Sequence, residues 1–140
     1  MKEELQKELY SSYPVLFSNK DKSVQESCMA WGIETGAGWF DILKSLCYEI
    51  KQYEEHLVNE SSQRYKKDYV PVKFDQIKEK FGGLRIYYSG GDDFIDGLIS
   101  MAEAISYKTC ESCGNKGKPN ESGWIVTLCE DCRNKNESRI

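Results

Sequence analysis

The residues of this chain best suited to chemistry are cysteines, and four of the six fall in two matched pairs. These are Cys110-Glu111-Ser112-Cys113 and Cys129-Glu130-Asp131-Cys132, with fifteen residues between them. Thiolates are soft ligands, and C-x2-C-x15-C-x2-C lies within the spacing by which two knuckles close on one tetrahedral Zn²⁺. Gly114 follows the second thiolate and supplies permissive backbone where a knuckle turns its amides toward sulfur. Four cysteine ligands leave no open coordination position. The site expected is therefore structural, with one zinc per chain and no part in catalysis.

Two disulfides are the competing reading, and the choice depends on compartment. The opening Met1-Lys2-Glu3-Glu4-Leu5-Gln6-Lys7-Glu8 is charged and lacks the apolar run of a secretory signal. No stretch approaches the roughly eighteen apolar residues of a membrane span. The expectation is a cytoplasmic protein with no membrane partner, in a reducing setting where paired CxxC sequences hold metal more often than they bridge. Thioredoxin-like redox chemistry fits poorly, because it uses one CxxC at a strand-to-helix junction.

The elements that must position these ligands follow from patterning. At 140 residues, with 39% hydrophobic and 12% aromatic content, the chain can fill one core. The division expected is an α+β body over 1–107 and a zinc ribbon over 108–140 packed on it. Leu5 and Leu9 mark a short first helix ended by Pro14. The segment Cys28 to Phe40 sets two tryptophans around three glycines, as tight turns holding large rings would require. From Trp39 to Leu57 the apolar positions Ile42, Leu43, Leu46, Ile50, Tyr53 and Leu57 recur at helical spacing. Val70 to Tyr88 reads as two strands joined at Gly82-Gly83, with Leu84, Ile86 and Tyr88 on one face and Arg85 and Tyr87 on the other. Asp92 or Asp93 can cap a further helix striped by Ile95, Leu98, Ile99, Ala102 and Ile105. The fold class is α+β, with two main helices, a small antiparallel hairpin or sheet, and the four-cysteine ribbon.

Charge is segregated along the chain. The formal net charge is −4, and four thiolates with one Zn²⁺ would bring it to about −6. Residues 1–60 carry six Lys or Arg against eleven Asp or Glu, while residues 64–85 carry seven against three. An anion-binding surface is thus expected among Arg64, Lys66, Lys67, Lys73, Lys78, Lys80 and Arg85; the alternative is a solvated basic face. Lys78, Lys80 and Arg85 interleave with Phe81, Tyr87 and Tyr88, and Trp39 lies among glycine turns. Cations suit phosphate and aromatic faces suit bases, although Phe81, Tyr88 and Trp39, each taken alone, read more readily as core. The candidate ligand-binding residues are Lys78, Lys80, Arg85, Tyr87 and Trp39.

Catalysis has weaker candidates. His56, the sole histidine, sits near a helix end where favourable contact with the helix dipole explains it. Cys47 shares the face of Leu43 and Ile50 and reads as a buried thiol, and Cys28 reads as core beside Met29 and Trp31. Glu34, Asp41 and Glu79 could form acid/base pairs only if folding joins them. No catalytic assignment follows.

The ordered set CMAWG, GWFDIL, KEKFGGLRIYY, MAEAIS, CESCG and GWIVTLCEDC resembles a family of small uncharacterised proteins of bacteriophages and bacterial genomes. The resemblance spans about Cys28 to Cys132. The chain departs from the pattern at Thr35 and Ala37, where Cys and Asp are frequent, so a site using those groups is not implied. The resemblance implies a phage or prophage setting in a host cytoplasm and brings no reaction. A non-catalytic binder of a nucleotide-type small molecule or a host protein, acting against host defence, is the leading expectation. Nucleic-acid binding through the ribbon is the alternative, disfavoured because the metallated ribbon is slightly negative and Trp124 with Ile125–Leu128 reads as packing surface. An enzyme of unknown reaction is the third.

Overall fold

The computed structural model describes residues 1–137. Helix α1 spans Glu3–Ser12, with Glu3 and Glu4 at its positive end. It stops before Tyr13-Pro14, where the proline excludes helical backbone at the preceding residue. Helix α2 runs Phe40–Val58 and buries Leu43, Leu46, Cys47, Ile50 and Leu57 along one stripe. Helix α3 covers Asp93–Ser106. Of the two aspartates, Asp92 is the cap: its carboxylate accepts from the Ile95 amide at 3.2 Å and also from the Tyr53 hydroxyl at 2.6 Å.

The sheet has three strands in the order β1-β2-β3: β1 is Ile33–Glu34, β2 Lys73–Lys80 and β3 Gly83–Ser89. The β2–β3 hairpin is antiparallel as expected, but β1 adds a parallel pairing, with Ile33 opposite Ile77 and Glu34 opposite Lys78. The sheet is therefore mixed. A bulge at Asp75 shifts the register between Phe74 and Gln76. The extra residue lets Phe74 and Ile77 both face the core although their spacing is odd. Across the hairpin, Ile77 faces Ile86, Gln76 faces Tyr87, and Lys78 faces Arg85.

Helix side chains reach both outer strands. Gln6 Oε1 accepts from the Ile33 amide at 3.0 Å on the β1 side. On the β3 side, Ser106 Oγ accepts from the Leu84 amide at 2.8 Å and Glu103 Oε2 from the Ile86 amide at 2.9 Å. One sheet face packs under α2 and α3 in a core that includes Phe17, Met29, Ile33, Trp39, Leu43, Ile50, Phe74, Ile77, Leu84, Ile95 and Ile99. Phe17 meets Phe74 edge-on at 5.1 Å. Glu54 is the buried acid of α2. Its carboxylate accepts from the Tyr69 hydroxyl at 2.5 Å and the Val72 amide at 2.8 Å. Burial pushes its pKa up, and the two hydrogen bonds offset only part of that shift.

After α3 the chain enters the ribbon, where β4 (Lys118–Pro119) pairs with β5 (Thr127–Leu128) and α4 covers Glu130–Glu137. No helix among the described residues is long and apolar enough to cross a membrane.

Candidate metal centre and the open face of the sheet

Two turns bring the cysteine pairs together. In the first, the Gly114 amide donates to Cys110 O at 2.9 Å and the Asn115 amide points at Cys113 Sγ at 3.5 Å. In the second, the start of α4 aims the Cys132 amide at Cys129 Sγ at 3.4 Å. All four Sγ atoms lie within 4.8 Å of one another, and Cys113 and Cys129 sulfurs are 3.6 Å apart. Metal–sulfur bonds of about 2.3 Å in a tetrahedron place sulfurs roughly 3.8 Å apart, so these residues fit one metal ion.

Electrostatics point the same way. Burial opposes ionisation of Cys110, but the backbone amides of Cys129, Cys113 and Ser112 outweigh it and bring the thiol down to about 7. Cys132 is pushed up to about 12 by hydrogen bonds with the Cys129 and Cys113 sulfurs. Four thiolates this close repel one another, and a divalent cation is the counter-charge that lets all of them ionise. Among the described residues, no other cluster of three or more His, Cys, Asp or Glu side chains has ligand geometry.

The metal module is bolted to the body by the glycine segment before α2. Gly38 N donates to Glu111 O at 2.7 Å, Gly36 N to Glu111 Oε2 at 2.9 Å, and Trp39 Nε1 to Thr109 O at 2.9 Å. A Cβ on Gly38 would lie 2.0 Å from Cys110 O, and one on Gly36 2.4 Å from Glu111 O. Those glycines are required by the close approach of the first knuckle, rather than by turns that hold rings. From the other side, Thr127 Oγ1 donates to Gly82 O at 2.5 Å.

This docking corrects one expected ligand residue. Trp39 is wholly buried between body and ribbon and has no face to offer a ligand. The remaining candidates, Lys78, Lys80, Arg85 and Tyr87, do come together. Strand alternation places them with Gln76 and Glu34 on the face of the sheet opposite the core. Lys78 and Arg85 stand directly opposite each other in the ladder. Among the described residues neither has an ion pair or side-chain hydrogen bond, and Arg85 Nε is buried without a partner. The rest of the basic segment lies elsewhere: Lys66 pairs with Asp92 at 3.8 Å beside the start of α3, and Lys73 sits opposite Ser89 at the far end of the hairpin.

Three further expectations need amendment. Cys28 is exposed rather than core, because it opens a one-turn helix at Cys28–Trp31 whose buried residue is Met29. Trp124 is 83% exposed rather than packed, since the side chain leaves the strand pair at the loop before β5. Phe81 is likewise 72% exposed, at the hairpin tip. Cys47 is buried as expected, and burial pushes its thiol pKa up. Of the acid/base candidates, Glu79 Oε2 accepts from the Gly82 amide at 2.7 Å, while Asp41 borders the groove between α2 and α3. Nothing joins them into a pair. What the fold and site define is an α+β body carrying a docked four-thiolate module. No family model, curated protein or solved structure matches the chain.

Proposed function

We propose that this chain is a zinc-stapled binding protein that captures an anionic, nucleotide-type ligand on the open face of its sheet. The observation that carries the reading is the Lys78–Arg85 pair. Like charges directly opposite in a ladder destabilise it, and a guanidinium nitrogen buried without an acceptor adds a desolvation cost. Glu34 stands opposite Lys78 from β1 and offsets part of that charge, but no carboxylate bonds to either cation among the described residues. A phosphate would supply the acceptor that Arg85 lacks and further counter-charge for the pair. Zinc suits the four-thiolate set because its coordination is tetrahedral and closed. The resemblance to small phage proteins supports a setting in which such capture sequesters a host nucleotide signal or masks a host protein.

A thermal-shift panel of inorganic phosphate, pyrophosphate and mono-, di- and cyclic nucleotides tests the reading. A ligand at 100 times its Kd raises stability by about 2.7 kcal/mol, and Arg85→Ala should abolish the shift. If no anion moves the melting temperature of the wild-type chain, the capture site is wrong. Metal analysis should find one zinc per chain; an iron count in its place would overturn the metal assignment.

A further inference from the structure

The β2–β3 turn carries a residue that stability alone would not select. Phe81 and Gly82 have φ of +53° and +85° between the paired residues Lys80 and Gly83. This is a two-residue turn of the I′ kind, whose first position favours Asn, Asp or Gly and disfavours a bulky side chain. Burial offers no compensation, because the ring is 72% exposed. The ribbon presents a second exposed ring beside it in Trp124.

Both rings stand on braced loops. Asn120 Nδ2 donates to Ser122 O at 2.7 Å and Trp124 O at 2.8 Å, and Asn120 Oδ1 accepts from the Val126 amide at 2.7 Å. The hairpin tip is tied by Gly82 to Glu79 Oε2 and Thr127 Oγ1, and Ile125 packs against Gly82. Between them lies a cleft of about 320 Å³ lined by Glu79, Lys80, Phe81, Gly123, Trp124 and Ile125. That is the lower end of the range for small-ligand sites. Lys80 Nζ lies 5.9 Å from the Phe81 ring centroid. Lys80 also continues the cationic face, one step of about 7 Å along β2 from Lys78.

We infer that this cleft receives a nucleobase, with the attached phosphates running along Lys80, Lys78 and Arg85. The inference rests on the anion-capture reading and names its ligand: a base that carries phosphate, free or within a single strand. Flat aromatic walls suit a flat aromatic ligand whatever its hydrogen-bonding edge. The adjoining cations set a phosphorylated base above an uncharged aromatic partner. A strained backbone supporting an exposed ring is the kind of outlier that marks a ligand contact.

The test compares Kd values, read by isothermal titration calorimetry, for nucleoside monophosphates, phosphate-free nucleosides, base-free pyrophosphate and short single-stranded oligonucleotides. Variants are Trp124→Ala and Phe81→Asn, each checked for one metal per chain. Trp124→Ala should weaken nucleotide binding about 10- to 100-fold and leave pyrophosphate unchanged. Phe81→Asn should do the same while raising the melting temperature, because Asn suits the turn. A merely structural Phe81 would give the opposite thermal result.

Pyrophosphate binding as tightly as nucleotides, or unchanged nucleotide affinity in both variants, overturns the base cleft and leaves anion capture standing. Nucleosides binding as tightly as nucleotides, with no dependence on Arg85, overturn anion capture and leave the cleft. If neither bases nor phosphates bind, both fall. Tighter binding of oligonucleotides with steep salt dependence supports the inference and identifies a strand as the source of the base. Equal affinity for mononucleotides supports it with a free nucleotide as the source.

Discussion

Residues 1–107 bury eighteen side chains in one continuous apolar core, whereas from Lys108 onward only Cys110, Thr127 and Leu128 are buried among the described residues. One pairing of two two-residue strands, an isolated bridge and one short helix cannot hold a segment in place by burial. The body is organised by water leaving apolar surface; the ribbon needs a bonded centre. The interface joins the two modes, since the backbone that presents the first thiolate also accepts the Gly38 and Trp39 hydrogen bonds. A metal held by the four cysteines would therefore order more than its own loop.

Metal removal should separate the regions most strongly. Structural zinc sites in finger peptides contribute on the order of 10–16 kcal/mol of binding free energy. Chelation or Cys113→Ser should first abolish amide-exchange protection over 108–137, with α2 and the hairpin protected for longer. Uniform loss across the chain would show that body and ribbon fold as one unit.

Two tryptophans probe the same contrast one step down. Trp39→Ala removes a fully buried ring and its bond to Thr109, and should cost about 3–5 kcal/mol in denaturant unfolding. Trp124→Ala removes an exposed ring and should stay within about 0.5 kcal/mol. Equal losses would mean that Trp124 packs in solution.

Acidification should drive the regions apart. Thiolates must lose metal to bind protons, so a chromogenic chelator should detect faster metal release as pH falls. Glu54 works in the opposite sense. Burial raises its folded pKa above the ordinary 4.5, so the folded chain holds this proton at higher pH than the unfolded chain. Its contribution is fully present below 4.5 and is lost as pH rises through the raised folded value. The stability difference between wild type and Glu54→Gln should therefore shift in favour of wild type on acidification across that window. A constant difference would show that Glu54 does not titrate there.

The smallest effect belongs to the open face. Arg85→Ala relieves the opposition to Lys78 and should raise stability by a few tenths of a kcal/mol, up to about 1, in melts without added anions. A clear loss would mean that Arg85 has a structural partner.

Local features of this molecule were legible from residue order. The ligand spacing, the stripe of α2, the hairpin faces and the Asp92 cap each follow from periodicity or from chemistry within a few residues. Features set by distant chain were not. Strand β1 is two residues long and exists because Ile33 pairs with Ile77, which no local pattern announces. The glycines at 36 and 38 carry the same letters whether they turn a chain or admit a knuckle. Trp39 and Trp124 exchange roles for that reason: burial of a large ring depends on what covers it, and the covering segment of Trp39 lies seventy residues away. A signal for Phe81 was available, since KFGG places a bulky residue where a two-residue hairpin favours Asn or Gly.

The side chains of Gln6, Ser106 and Glu103 occupy outward-facing amides on both flanks of the three-stranded sheet. Unsatisfied strand borders are where proteins zip to foreign peptides or to their own copies, and here helices occupy them. Assembly by strand addition is thereby disfavoured in both directions. Any contact with another chain at these flanks would have to be made by side chains, not by ladder hydrogen bonds.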